Sequence, residues 1–231
     1  MFFENFRDSF NLNFITDNRW KYIFNGLKTT LTVTLFSLII GIILGIIVAI
    51  IKSTYLKNNT MKIPNSICNL YLTLFRGTPI VVQLLIIYFV IFATVRIDKT
   101  LVAIIAFGLN SGAYVAEIFR SGIMSIDNGQ FEAGRSLGFN YAQTMYHIII
   151  PQAFKNVLPA LGNELIVLVK ETSVCGYIAL QDLTKGGDII RSQTYSPFMP
   201  LIAVAVIYLV MVIGLEKLVN SLERKLRNSE H

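Results

Sequence analysis

Charged side chains set inside apolar sequence are the places where this chain can do chemistry. Arg76, Glu117, Glu164, Lys170 and Glu171 all lie within or beside long hydrophobic runs. A charge in hydrocarbon is expensive, so it faces a cavity, a partner or both. Arg76 opens the segment Arg76-Gly77-Thr78-Pro79, which interrupts the apolar region 63–95. As one helix that region would run about 50 Å, well beyond the roughly 30 Å of a hydrocarbon core. Thr78 is a good N-cap and Pro79 suits a first helical position, so a new helix is expected to begin here. Its free amides and positive dipole end, with the permanently charged Arg76 beside them, suit a carboxylate ligand held at mid-depth. The competing reading is a kink in which Arg76 pairs with a structural carboxylate.

Glu164 and Glu171 are seven residues apart, which puts them on one helical face to within about 20°. Glu164 has no cation three or four residues away, and is expected to receive an ammonium or guanidinium group. Glu117 stands three residues before Arg120, and an ion pair along the helix accounts for it. Lys170 projects about 100° from Glu171. Whether Glu117, Lys170 and Glu171 belong to a site or to structural pairs stays open. Asn110, Ser111 and Tyr114, midway along another apolar run, either line the same path or bond helix to helix.

The elements that position these groups follow from composition. Of 231 residues, 54% are hydrophobic and 15% charged, against about 25% charged in a soluble domain. The mean hydropathy is +0.59. An integral protein of the lipid bilayer, all-α, is expected. Five spans are read: 31–51, 63–95 with its break, 100–119, 159–180 and 198–219. Gly41 and Gly45 in the first form a small-xxx-small pair that permits close packing. Trp20 and Tyr22, beside Arg19 and Lys21, are expected on an interfacial helix within an outer segment 1–28. The transmembrane part is then 29–220, and the tail 221–231. The first residues carry Glu4, Arg7 and Asp8 and no apolar stretch, so no cleavable signal peptide is expected. Cys68 and Cys175 read as small core residues without metal-ligand spacing. The net charge of +6 shows no basic patch with interleaved aromatics, so nucleic acid is not an expected partner.

Charge sets the direction. Lys52, Lys57 and Lys62 follow the first span; Arg120, Arg135 and Lys155 lie in the long third loop; Lys217, Arg224, Lys225 and Arg227 crowd the tail. Those loops favour the inside, which leaves the N-terminus outside and the C-terminus cytoplasmic. Arg7, Arg19, Lys21 and Lys28 argue the other way.

That third loop holds a polar hairpin, 128–151. A helix is expected over 130–137 with Glu132 in its first turn, where a carboxylate complements the dipole. Gly138 supplies a left-handed C-cap, a second short helix covers 141–149, and Pro151 limits it. Phe131, Leu137, Phe139, Tyr141 and Tyr146 would then face water as a docking surface. His147 is read as a surface or interface residue.

Glu132, Ala133, Gly138, Ile148 and Pro151 stand at the intervals of the signature of ABC importer permeases, which this chain resembles. Gly134 and Ile150 depart from it, where alanine and leucine are expected. The blocks Asn25-Gly26-Leu27, Phe75-Arg76-Gly77-Thr78-Pro79 with Gln83-Leu84, 113–123, 158–164 and Lys170-Glu171-Thr172-Ser173 are similar to the branch that moves histidine, arginine, lysine, glutamine or glutamate. The resemblance implies a type I importer permease fold whose hairpin forms coupling helices in a groove of a cytoplasmic ABC ATPase. It further implies a second permease copy or homologue, an extracellular solute-binding protein, and a bacterial plasma membrane. The substrate site would draw on Arg76, Gly77, Thr78, Pro79, Asn110, Tyr114, Glu164 and Glu171. No Gly-x-x-x-x-Gly-Lys-Ser/Thr motif occurs, so ATP and magnesium are expected on the partner, and this chain is a translocation subunit with no catalytic residues. An ion-coupled secondary transporter is the alternative. A non-transporting scaffold would have no reason to carry a broken span and buried charges.

Overall fold

The computed structural model describes residues 2–227, and the side chains of 6–56 and 59–226. Residues 228–231 of the expected tail, and the side chains of Glu4, Lys57 and Arg227, lie outside the described residues.

Helix α1 (Phe2–Phe10) leads through two short wound turns to α2 (Trp20–Asn58). Asp17 and Asn18, at φ 53° and 54°, turn the chain between them; short polar side chains tolerate that conformation best. Trp20 and Tyr22 therefore do not sit on a separate interfacial helix. With no proline between 20 and 58, nothing ends the helix, and they form the first turn of one 39-residue rod.

The next region divides at the expected place, into α3 (Lys62–Gly77) and α4 (Ile80–Ile86) with a wide turn to Ile91. The two parts bend by 113°. Thr78 and Pro79 act differently from expectation. The Thr78 hydroxyl donates back to the Leu74 carbonyl at 2.7 Å and closes α3. Pro79 is extended and caps α4, which starts at Ile80. The Gln83 side chain then donates to the Phe75 and Thr78 carbonyls, both at 2.9 Å, and pins the corner.

Helix α5 (Lys99–Met124) is capped by Asp98, whose carboxylate accepts from the Thr100 amide at 2.8 Å. After the hairpin helices α6 (Asn128–Ser136) and α7 (Tyr141–Thr144), a wide turn at Met145–Ile149 runs straight into α8 (Ile150–Glu171). The span read as 159–180 thus begins nine residues earlier and passes through Pro159. At Glu171 it gives way to a tighter 3₁₀ turn, Thr172–Ile178. Helix α9 (Leu183–Thr194) is a short connector, and α10 (Phe198–Arg227) continues past residue 220 without a break.

Contacts define two ends. Lys52, Leu56, Arg120, Met124, Arg135 and Tyr141 line one cavity, so the ends of α2 and α5 meet the hairpin. At the other end α9 lies across the starts of α2 and α10: Gly186 faces Tyr22, and Gly187 faces Val204. Asn13 and Thr194 bond there at 2.9 Å. By length and hydropathy, α2, α5 and α10 qualify singly as membrane spans and α3 with α4 as a bent pair. Helix α8 carries Lys155, Glu164, Lys170 and Glu171.

Helix α5 is the centre, with 61% of its most apolar window buried, against 28% in α2 and 11% in α10. Val102, Ala106 and Phe107 pack with Val33, Leu84, Leu168 and Cys175 in the main core. Cys68 is buried in a second cluster. Gly41 and Gly45 do what their spacing predicts: a Cβ at Gly41 would stand 2.7 Å from the Ser111 hydroxyl, and one at Gly45 2.5 Å from Val115. The backbones of α2 and α5 are in near contact there.

At the α9 end, Asp182 is fully buried. One carboxylate oxygen caps α9 by accepting from the Lys185 amide at 2.9 Å, and Oδ2 has no hydrogen-bond partner. Burial pushes its pKa up to about 6. A carboxyl whose folded pKa exceeds its unfolded value stabilises the fold most below about pH 4, and loses that contribution as pH rises through about 6. An asparagine at this position would keep the cap, because asparagine caps as well as aspartate. Asp182→Asn should therefore raise the melting temperature in detergent at pH 7.5 and flatten the melting profile between pH 4 and pH 7. A variant that melts lower at every pH would show that the charged form is the stabilising one.

Candidate functional site

A cavity of about 710 Å³ lies between α5 and α8 and reaches from Ser125 and Asn156, next to the hairpin, to Glu171. Helix α5 presents Tyr114, Glu117, Ser121 and Ser125, spaced by three or four residues. Helix α8 presents Asn156, Ala160, Asn163, Glu164, Val167 and Glu171. These spacings make each set one face of its helix. The expected face shared by Glu164 and Glu171 is the wall of this cavity. Val157 packs where a side chain on Gly122 would otherwise sit, bringing the two walls together at the hairpin end.

Glu164 is 7% exposed, and its one hydrogen bond is accepted from the Ser111 hydroxyl at 2.7 Å. Among the described residues it has no ion pair. Glu171 is half-buried on the same wall. Two of the three carboxylates on this cavity, Glu164 and Glu171, thus have no cation bonded to either among the described residues. Lys170 points elsewhere and is exposed.

The guanidinium groups gather at Glu117. Arg120 pairs with it along α5, as the i,i+3 spacing predicts, and Arg76 reaches it from α3 at 3.5 Å. The guanidinium carbon of Arg76 also lies 6.0 Å from the Tyr114 ring centre, a cation–π distance. Arg76, Gly77 and Tyr114 share a second hollow of about 510 Å³. Tyr114 is common to both hollows, so it separates an acidic wall from a basic one. The structural partner weighed for Arg76 is present, yet its side chain stays 42% exposed.

Asn110 does not line this path. It is buried, donating to the Gln83 side chain at 2.9 Å and the Phe75 carbonyl at 3.2 Å. Thr78 and Pro79 are likewise engaged at the corner. The cavity therefore brings together Tyr114, Glu164 and Glu171, with Arg76 and Gly77 beside it. Asn156 and Asn163 escaped the sequence reading. Asn156 and Asn163 are seven apart, the same interval that links Glu164 to Glu171, and that repeat was the available signal.

The hairpin is more tightly made than its sequence suggested. Helix α6 begins at Asn128, with Asp127 accepting from the Gly129 amide as its N-cap. Asp127, rather than Glu132, is the carboxylate at the dipole; Glu132 falls in the second turn. Gly138 adopts φ 81°. Its amide bonds the Arg135 carbonyl at 2.9 Å, and that of Phe139 bonds the Gly134 carbonyl at 3.0 Å, the two bonds of a Schellman cap. Asn140 and Gln143 exchange side chain and amide as a capping box on α7. Pro151 does not stop the second helix. The wide turn at 145–149 shifts the hydrogen-bond register, and Pro151 falls in the first turn of α8, where its missing N–H costs nothing.

The aromatic set also divides. Phe131 and Tyr141 stack 6.2 Å apart and are half-buried, while Leu137 and Tyr146 are 69% and 71% exposed. Phe139 leans on His147 at 5.8 Å, and His147 is exposed as expected. Ala133 is exposed, Ile148 half-buried and Pro151 exposed.

A bent span, apolar outer faces and a charged cavity that opens beside a rigid hairpin define a polytopic membrane transport subunit. Residues 41–228 match the family described as the binding-protein-dependent transport system inner membrane component, and the chain belongs to that family. It is 40% identical over 211 residues to the arginine transport system permease protein ArtQ of Bacillus subtilis (strain 168), across 90% of this chain and 94% of that one. The glutamine transport system permease protein GlnP of Escherichia coli (strain K12) is 38% identical over 168 residues, or 71% of this chain and 77% of that one. A solved chain from a crystal structure of an amino acid ABC transporter with histidines superimposes with a TM-score of 0.83 at 40% identity, over 92% of this chain and 98% of that one. The inward-facing MetNI methionine ABC transporter shares the fold at a TM-score of 0.72 and 21% identity, over 89% and 96% of the two chains.

Gly134, which departs from the signature, is set by packing. A Cβ there would lie 2.6 Å from both the hydroxyl and the methyl of Thr144. Gly134→Ala should therefore loosen the hairpin, seen as faster amide exchange over 131–146, and Thr144→Ala added to it should restore slow exchange. Equal protection in the single variant and the native chain would refute the clash.

Proposed function

We propose that this chain is the permease subunit of an ATP-driven importer of polar amino acids, with a cationic substrate preferred. One observation carries the reading: Glu164 and Glu171 face a single cavity without a bonded cation, while Arg76 stands behind Tyr114 on its other side. An amino acid needs the two charges this arrangement offers. Its ammonium or guanidinium would lie against Glu164 and Glu171, and its carboxylate towards Arg76 and the Gly77 backbone. Low local dielectric strengthens both contacts. Names of relatives that carry arginine, glutamine or histidines support the substrate class.

The hairpin carries the energy input in this reading. Glu132, Ala133, Gly138, Ile148 and Pro151 form or brace the surface that docks a cytoplasmic ABC ATPase, and the ATP and magnesium are held there. Two permeases, this chain with a copy or a homologue, complete the pathway. An extracellular binding protein delivers substrate at the α9 end. The orientation follows: five spans in a bacterial plasma membrane, with the N-terminus outside and the C-terminus in the cytoplasm beside the hairpin. The excess of lysine and arginine at the hairpin end supports that direction.

Two variants test the two halves separately. Glu164→Gln should weaken binding and uptake of arginine, lysine and histidine by at least tenfold in proteoliposomes containing the full complex, because one buried charge-assisted contact is worth about 1.5–3 kcal/mol. Unchanged affinity for all three would overturn the cation role. At Gly138 a side chain meets nothing within 4 Å, so Gly138→Asp incurs only the strain of a left-handed backbone, about 1 kcal/mol. It should insert and assemble, yet hydrolyse ATP without uptake. Normal uptake by that variant would remove the hairpin from the coupling role.

A further inference from the structure

A second cavity, of about 440 Å³, lies on the other side of α5, where the ends of α2, α3 and α5 meet the hairpin. Lys52, Arg120 and Arg135 line it, together with Ser53 and Tyr141, and Glu117 is the one carboxylate in its wall. Glu117 is already shared by Arg120 and Arg76. Lys52 donates to the neutral Asn69 side chain at 2.6 Å, and Arg120 directs Nη1 to the Met124 sulfur at 2.7 Å. Arg135 has no ion pair among the described residues. At least two positive charges are therefore uncompensated in one hollow.

The rest of the wall is apolar, with Ala49, Leu72 and Ile123 inside and the exposed Leu56 and Met124 at the rim. Leu56 and Met124 are 78% and 68% exposed, so the hollow opens past apolar side chains at the ends of α2 and α5. A soluble anion would use the cations and leave that apolar wall uncovered. A ligand with a phosphate at one end and hydrocarbon at the other fits both parts.

We propose that this cavity binds the phosphate of an anionic phospholipid, held by Lys52, Arg120 and Arg135, with its acyl chains leaving past Leu56 and Met124. Lys52 belongs to the spanning helix and Arg135 to the hairpin, so the headgroup ties the hairpin to the bundle. The inference rests on the orientation proposed above, which puts this end in the cytoplasmic leaflet. Its test needs neither substrate nor ATP, so it can fail or succeed apart from the transport reading.

The complex, purified in detergent and supplied with phosphatidylglycerol or phosphatidylcholine, is examined by native mass spectrometry. Phosphatidylglycerol should be retained about twentyfold better, at roughly fivefold for each of two cations. Lys52→Gln with Arg135→Gln should bring retention down to the phosphatidylcholine level, and Lys52→Arg should keep it. Four results would overturn the proposal. Equal retention of the two lipids, or full retention by the double variant, denies the site. Displacement by millimolar inorganic phosphate or glycerol 3-phosphate makes it a site for a soluble phosphate. Loss of lipid whenever the ATPase subunits are present makes the hollow a protein interface.

Discussion

The near contact of the α2 and α5 backbones at Gly41 and Gly45 governs the arrangement of everything that follows. A side chain at Gly41 would fall on Ser111, and the next turn of α5 presents Val115 and Ala116 to Gly45. Ser111 is thus held between α2 on one side and Glu164 on the other, and its hydroxyl is the one hydrogen bond that Glu164 accepts. Tyr71 of α3 uses a third small residue in the same way: it reaches over Gly112 to donate to the Leu109 carbonyl. In hydrocarbon, where apolar contact alone gives helices no preference for one another over lipid, small residues and interhelical hydrogen bonds fix such geometry.

Charge is handled differently among the three carboxylates of the cavity. At Glu117 two guanidinium groups converge on one carboxylate, which keeps the charge neutralised wherever the surroundings are apolar. At Glu164 and Glu171 the opposite holds, and two carboxylates share a cavity with a single hydroxyl between them and isolation. Such a pair is costly in a bare bilayer. It is tolerable where the wall opens to water or meets a cation, and both carboxylates lie on the open cavity.

What could be read from the sequence depended on the range of the interaction involved. The break at residues 78–79, the glycine pair, the left-handed Gly138 and the face shared by Glu164 and Glu171 all follow from local rules, and each stands in the structure. The errors came where a distant group decided. Thr78 has the chemistry of an N-cap, but Gln83 and Asn110 tie the corner together and leave Thr78 to close the preceding helix. Pro151 has the chemistry of a stop, but a wide turn one residue upstream absorbs its missing donor. Asp182 is buried only because the fold brings α9 across the start of α2, a contact no local pattern announces. Tyr114 could be named, though not the division it makes between a basic and an acidic hollow.

In the proposed coupling role, the construction of the hairpin would carry a displacement of its surface to the cavity. Four devices remove its internal freedom: the Asp127 cap, the Schellman turn at Gly138, the Asn140–Gln143 capping box, and the stack of Phe131 on Tyr141. Gly134 against Thr144 locks α6 onto α7. The chain then runs from α7 through the wide turn into α8 with no loop between them. A flexible link would dissipate a displacement, whereas a continuous helix transmits it along its axis. Glu164 and Glu171 lie about 20 Å and 30 Å along that axis from Ile150, at ~1.5 Å per residue. A tilt of the hairpin therefore carries both carboxylates with it, while Ser111 stays with α5 against Gly41. The Ser111–Glu164 hydrogen bond spans the plane on which those two bodies would slide, which makes it the contact that must break or lengthen if the cavity is to change shape.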